Sequence, residues 1–469
     1  MKEQLLTTSK LAETAYQLAS VWQSQEKIEL AIALYQEALN LEPNYLPAYQ
    51  KLGDIIVKEG RVEEGLEYYE KALYINFDAT TLSSYYAYLG LPETILNHQS
   101  IQTPKSNFSP ASYIEDNLNG KISLFDQKTF DCHRSGWNFV TNALKPLHNS
   151  QGILFDGFIE NRFLWNYRRP DKLSSIILEK IKQDGTFNLI ATVEERGIIP
   201  YTKPWVGIIH NPQRMPTWFQ YRQSPQELFA KETWKKSLDS CVGLFSLSEY
   251  HAQWLREQTG KPVSTLIHPT EIPEMQFNFS KFLANSEKKI VQIGWWLRKL
   301  SAIYQLPIAK NNPLNLEKIR LVPMFCENAD KQQEEIIERE KIINNITIEP
   351  IFLSNTREIK HLSNTEYDIL LSENIVFIEL YDSSANNGVI ECIARATPLL
   401  INPLPAVVEY LGKDYPMYFT SLSEAAEKAL DTALILDTHN YLLNCETRKK
   451  LSQEYFLKSF EESEVYQLI

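Results

Sequence analysis

The residues of this chain whose types and spacing could do chemistry gather between Ile375 and Gly412, in IVFIELYDSSANNGVIECIARATPLLINPLPAVVEYLG. Asp382, Ser383 and Ser384 lie between an apolar run and a helical run from Val389 to Arg395 that carries a single acid, Glu391. Short polar side chains accept hydrogen bonds from the unpaired amides of a helix start, so these three read as capping residues. Ile375 to Ile378 is rich in β-branched residues, the pattern of a strand buried on both faces. Thr397 to Ile401 reads as the next strand, with Pro398 near its start, where a missing ladder donor is tolerated. A helix N-terminus beside strand ends is where open parallel sheets bind anionic ligands.

Other elements must position that stretch. In the first half, apolar runs recur at Gly152–Gly157, Phe187–Thr192, Trp205–His210, Val242–Ser246 and Pro262–His268. Helices are expected from near Lys172 and through Trp254 and Leu255. In the second half the strand candidates are Lys289–Gly294, Ile319–Phe325 and Ile346–Phe352. The charged run KQQEEIIEREKIINN between the last two reads as an amphipathic helix with a solvated face. Strands alternating with helices argue for parallel, doubly wound sheets, whose functional residues sit at strand carboxyl ends. His210 and His268 fall at such ends.

The N-terminal region is built differently. Residues 12–45 and 46–79 are self-similar at a spacing of about 34 residues. Ala19 would face Ala31, and Gly53 would face Gly65, where larger side chains would push paired helices apart; Tyr35 and Tyr69 are expected to fill the groove against the next unit. The pattern resembles the tetratricopeptide repeat, and Thr81–Gly90 would be a closing helix. The surface is either a peptide-binding groove or a structural spacer or dimerisation module. Residues 97–120 are polar and aperiodic and read as a linker.

Composition bounds the rest. The chain has 469 residues, enough for two or three domains, with 43% hydrophobic and 23% charged residues. A net charge of -12 excludes a general nucleic-acid binder, and five scattered cysteines without CxxC spacing read as free thiols. No stretch has the length or apolarity of a transmembrane segment or signal peptide, so a cytoplasmic protein, peripheral at the inner membrane face at most, is expected.

From Lys121 onward the chain resembles the GT-B glycosyltransferases. CVGLFSLSEYHAQWLREQTGKPVSTLIHPTE is similar to the end of their N-terminal domain, with Ser248 at the serine position and His210 in place of a strand-end histidine that faces the sugar. The implied fold is α/β: two Rossmann-like doubly wound domains facing a cleft, preceded by the all-α repeat module. The expected boundaries are residues 1–96 for the repeats, 97–120 for the linker, 121–282 for an acceptor domain, 283–431 for a nucleotide-sugar domain, and 432–469 for helices crossing back. The resemblance implies a UDP- or GDP-linked sugar donor, no further cofactor, no metal, and a glycan or lipid-linked acceptor. A protein acceptor or partner held by residues 12–95 is the alternative, and a non-catalytic sugar- or nucleotide-binding scaffold is another.

Residue by residue, Gly294, Arg298 and Lys299 match the loop that binds the donor diphosphate; otherwise the two cations decorate a solvated helix start. Glu391 takes the place of the glutamate that holds the ribose hydroxyls, or is simply an acid favoured by the helix dipole. Eight positions earlier the family carries a second glutamate near the transferred sugar; this chain has Ser383 there, with Asp382 as neighbouring substitute. Asp382 and His210 are the catalytic candidates, and Ser383, Asn386 and Asn387 the remaining donor-site candidates. The aromatic, proline-rich segment around His210, with Tyr201, Trp205, Trp218, Phe219 and Tyr221, suits an acceptor sugar or packs as a loop under a lid.

Overall fold

The structure is a computed structural model and describes residues 2–43, 45–61, 64–65, 68–69, 71–72, 116–124, 137–165, 200–322, 329–348, 350, 355–360 and 362–469. The closing helix over Thr81–Gly90, linker residues 97–115, the helix near Lys172 and the strand Phe187–Thr192 fall outside these. The chain forms two compact units: Met1–Tyr113 with Asn161–Thr202 and Phe229–Asp239, and Ile114–Glu160 with Lys203–Leu228 and Ser240–Ile469. Among the described residues no helix is long and apolar enough to cross a membrane.

In the first unit the helices Lys2–Ser24, Ile28–Leu41 and Leu46–Lys58 follow one another. Ile28–Leu41 buries Ala31, Ile32, Tyr35 and Ala38, a stripe at helical spacing. Close approach explains the small residues. A Cβ on Gly65 would lie 2.3 Å from a Val57 methyl and 3.0 Å from the Gly53 carbonyl, and one on Gly53 would lie 2.8 Å from the Tyr69 ring. Tyr69 therefore fills the groove of its own helix pair, where its hydroxyl donates to Asp54.

The second unit holds two five-stranded parallel sheets. Strands β1 (Ile122–Ser123), β2 (Ile153–Asp156), β3 (Trp205–Ile208), β4 (Cys241–Ser246) and β5 (Val263–Thr265) stand in chain order. The C-terminal helices Gln453–Glu461 and Glu464–Gln467 pack on this sheet. Phe456, Phe460, Val465 and Tyr466 join Phe155, Val206 and Phe245 in one core, and Phe460 stacks on Phe245 with centroids 4.6 Å apart. Gly243 permits this contact, since a Cβ there would meet Val465 at 2.7 Å.

The second sheet comprises β6 (Lys289–Gln292), β7 (Glu317–Leu321), β8 (Thr356–Ile359), β9 (Ile375–Ile378) and β10 (Leu399–Ile401), in the order β10-β9-β6-β7-β8. The strand order reverses between β6 and β9, which pair in parallel with Ile290 opposite Ile375 and Val291 opposite Val376. All four residues of β9 are fully buried. At roughly 1.5–3 kcal/mol per buried large apolar side chain, that strand is the anchor of the sheet. The strand expected over Ile346–Phe352 is absent at residues 346–348; β8 lies at Thr356–Ile359 instead. As an edge strand paired, among the described residues, with β7 alone, it needs no continuous apolar run, and its sequence TREI has none. The helix Ala329–Ile343 is solvated on one side but buries Gln333, Ile336, Ile337 and Glu340 on the other. Helical repeats followed by two parallel α/β sheets are the elements that the sequence led us to expect, in the expected order.

Candidate functional site

The strand order reverses between β6 and β9, and the carboxyl ends of strands at such a reversal are the usual ligand position in open α/β sheets. The loops that follow them are laced together: Lys299 N donates to the Glu379 carbonyl at 2.7 Å, and Tyr381 N to the Leu297 carbonyl at 3.0 Å. Gly294 opens the first loop at φ 72°, a left-handed conformation that favours glycine. Its missing side chain is also a space requirement, because a Cβ would fall 2.5 Å from the Arg298 guanidinium carbon.

Arg298 is 7% exposed. Its guanidinium donates to the Trp296 carbonyl at 2.9 Å and to Asn386 Oδ1 at 3.0 Å, while Nε has no hydrogen-bond partner among the described residues. Burial pushes its pKa down to about 10, opposed by the negative charge of nearby Glu391. A buried cation with an unmet donor is a site that an anion would complete.

The helix Asn387–Arg395 begins beside it. Its cap is Asn386, whose Oδ1 accepts from Val389 N at 3.3 Å, rather than the Asp382–Ser384 run expected from the sequence. Those residues are recruited elsewhere. Asp382 accepts from Arg214 N at 2.9 Å and from the Tyr250 hydroxyl at 3.4 Å, and the Ser384 hydroxyl donates to the His210 carbonyl. All three contacts join the segment after β9 to residues that follow strands of the first sheet, His210 and Arg214 in the loop after β3 and Tyr250 on the helix after β4. Burial raises the Asp382 pKa. Ser383 is buried between them at 4% exposure. Asn387 is the first residue of the helix and is half-buried.

Lys299 is paired with Glu379 at 2.6 Å and lies over the Tyr381 ring. Tyr381 in turn donates to Glu340, a fully buried acid that also accepts from Ser301 N at 2.7 Å. Glu340 thus ties both loops to the helix behind them. The aromatic segment after His210 packs against these loops: Trp218 meets Tyr381 edge-on at 5.4 Å and Phe219 meets Trp296 at 5.5 Å. Phe219 is 1% exposed and belongs to the core of the second sheet. Of the two aromatic readings, packing is the one these rings satisfy.

His210 Nε2 lies 2.9 Å from the Gly157 carbonyl, and its ring sits 4.4 Å from Phe158. The backbone amides of His210 and Asn211 both donate to the buried acid Glu160, at 2.6 and 2.7 Å. Burial lowers the His210 pKa to about 3, so the imidazole is neutral near pH 7, and raises that of Glu160 to about 7. His268 is buried against the Pro269 carbonyl at 3.0 Å. Glu391 accepts from the Tyr367 hydroxyl at 2.6 Å. One turn along, Arg395 pairs with Asp368 at 2.7 Å, both largely buried. Arg214, Tyr250, Glu160, Glu340 and Tyr367 carry no local sequence signal, because their partners lie far away in the chain.

The tetratricopeptide repeat model matches residues 12–45 and 46–78. The chain carries two tetratricopeptide repeats. Among curated proteins, none matches the sequence. Solved structures similar to it include an α,α-trehalose 6-phosphate synthase from Burkholderia multivorans, at 12% identity and TM-score 0.44, covering 74% of this chain and 95% of that one. A UDP-forming α,α-trehalose-phosphate synthase from Burkholderia xenovorans has 13% identity and TM-score 0.42, over 64% and 82%. WaaG, a glycosyltransferase involved in lipopolysaccharide biosynthesis, has 13% identity and TM-score 0.37, over 58% and 79%.

Proposed function

We propose that the second sheet binds a UDP- or GDP-linked sugar and that the protein transfers that sugar to a glycan or lipid-linked acceptor. The observation that carries this reading is the group at the β6–β9 reversal: Gly294 at positive φ, Arg298 buried beneath it with an unmet Nε, and the Asn386-capped helix start. Arg298 and the helix N-terminus would offset charge on the departing diphosphate, and Glu391 would accept ribose hydroxyls. In the transfer the acceptor oxygen bonds to the anomeric carbon as the bond to the diphosphate oxygen breaks. The electron pair of that bond stays with the diphosphate, which also receives the acceptor's hydroxyl proton. His210, neutral near pH 7, would offer the sugar hydrogen bonding rather than charge. Lys299 would have to exchange Glu379 for phosphate to take part, so it is the weakest member of the set.

The test is a thermal-shift panel of UDP, GDP and their sugars, followed by turnover with glycan, lipid-linked and peptide acceptors. Ligand at 100 times its Kd should add about 2.7 kcal/mol of stability. No shift with any nucleotide refutes the reading. A second reading, a nucleotide-binding scaffold without turnover, is favoured by one observation: both Asp382 oxygens are engaged by first-sheet groups, and Ser383 supplies no carboxylate in its place. Binding without transfer to any acceptor would select it. Transfer to peptides alone would instead point to the repeats as holders of a polypeptide acceptor.

A further inference from the structure

We propose that Tyr367 is a positioning residue that sets the orientation of the Glu391 carboxylate; this rests on the reading of Glu391 as the ribose acceptor. Tyr367 and Asp368 are neighbours on the helix Asn364–Ser372, and their partners Glu391 and Arg395 stand one turn apart on Asn387–Arg395. The two helices are therefore held by a clasp of two consecutive bonds, 2.6 Å from Tyr367 to Glu391 and 2.7 Å between Arg395 and Asp368. The clasp is itself rigidly mounted. Ser363 and Glu366 form a capping box at the start of the first helix, and the Arg395 guanidinium lies 5.6 Å from the centre of the Tyr367 ring.

The two bonds do different things. The Asp368–Arg395 pair and the ring of Tyr367 already join the helices, so the phenol hydroxyl is not needed for packing. What it adds is one donated bond to Glu391 Oε2. A carboxylate has about four lone-pair sites, and the phenol occupies one of them, fixing the plane of the group. Burial and the Glu391 charge hold the phenol well above its usual pKa, so it remains a donor throughout the physiological range. An acid held this way meets a sugar diol without first losing side-chain entropy.

The experiment titrates the full chain calorimetrically with UDP and GDP and with their 2′,3′-dideoxy counterparts, in wild type, Tyr367→Phe and Glu391→Gln. Wild type should prefer the ribonucleotide by about tenfold or more, the effect of hydroxyl bonds to a charged acceptor. Tyr367→Phe should reduce that preference to about two- to threefold, leave dideoxynucleotide affinity unchanged and keep Tm near wild type. If Tyr367→Phe retains the full preference while Glu391→Gln loses it, Tyr367 is not a positioning residue and the Glu391 reading stands. Equal weakening of both ligand types also overturns the proposal. If wild type shows no ribose preference, or Glu391→Gln keeps it, the proposal and the reading beneath it fall together.

Discussion

Replacing Gly294 with alanine tests the diphosphate loop most directly. The new methyl would meet two obstacles, a backbone at φ 72° and the Arg298 guanidinium 2.5 Å away. The conformational penalty for a non-glycine residue in the left-handed region is about 1–2 kcal/mol. Moving Arg298 would also cost its bonds to the Trp296 carbonyl and Asn386, and one charged hydrogen bond lost from a buried site is worth about 1.5–3 kcal/mol. The expected total is about 2.5–5 kcal/mol by the two estimates together. Gly260 provides the control: it has φ 65° at the end of the helix Glu249–Thr259, and nothing lies within 4 Å of a Cβ built there. Gly260→Ala should therefore cost only the conformational part, about 1–2 kcal/mol. Denaturant unfolding supplies both stabilities, and calorimetric titration with UDP and GDP supplies affinity. Gly294→Ala should also weaken nucleotide binding at least about tenfold, while Gly260→Ala should leave it unchanged. Equal destabilisation by the two variants, with nucleotide affinity intact in both, would refute the argument.

Three further outcomes are expected. Asp382→Ala should remove the bonds from Arg214 N and Tyr250, destabilise the protein by about 1–3 kcal/mol and speed amide exchange at Arg214; unchanged exchange there would count against the contact. Asp368→Asn leaves Arg395 buried without its counter-charge and should cost about 3–5 kcal/mol in denaturant unfolding. The exposed pair Lys235–Glu232 should cost under about 1 kcal/mol when broken, and similar losses at both sites would contradict the burial argument. On acidification, His210, His251 and His268, lowered by burial to about 3, about 3 and about 4, stay neutral in the fold while the unfolded chain takes up protons below its own histidine pKa near 6.5, so stability falls. Glu160, raised by burial to about 7, works the other way, because the fold holds its proton between about 4.5 and 7. Between about pH 5 and 6 three histidines outweigh one acid, and unfolding free energy should drop by about 2.7 kcal/mol per pH unit from these groups. His251→Gln should flatten that slope, and an unaltered slope would exclude His251 as a source.

Local pattern determined most of the elements. The apolar run Ile375–Ile378 is β9 residue for residue, because a strand buried on both faces must be apolar at every position. The small residues at 19, 31, 53 and 65 announced the helix pairs, because close backbone approach excludes side chains. Where burial does not dictate composition the pattern was silent, as at the edge strand β8 and the two-residue β1. The site was legible only in part. Gly294, Arg298, Asn386 and Glu391 are neighbours in the fold: Gly294 abuts the Arg298 guanidinium, which bonds Asn386 and lies within the field of Glu391.

What only tertiary structure decided is how each short polar side chain is used. Asp382, Ser383, Ser384 and Asn386 are all competent helix caps, and nothing in their order selects among them. The choice falls to Asn386 because Arg214, Tyr250 and His210, more than 130 residues earlier in the chain, engage Asp382 and Ser384 first. The same holds for Lys299, a cation free in sequence terms but paired with Glu379 in the fold, and for Trp218 and Phe219, which pack edge-to-face with Tyr381 and Trp296. Sequence determines which hydrogen bonds and contacts a residue can make; the packing of distant segments determines which of them it does make.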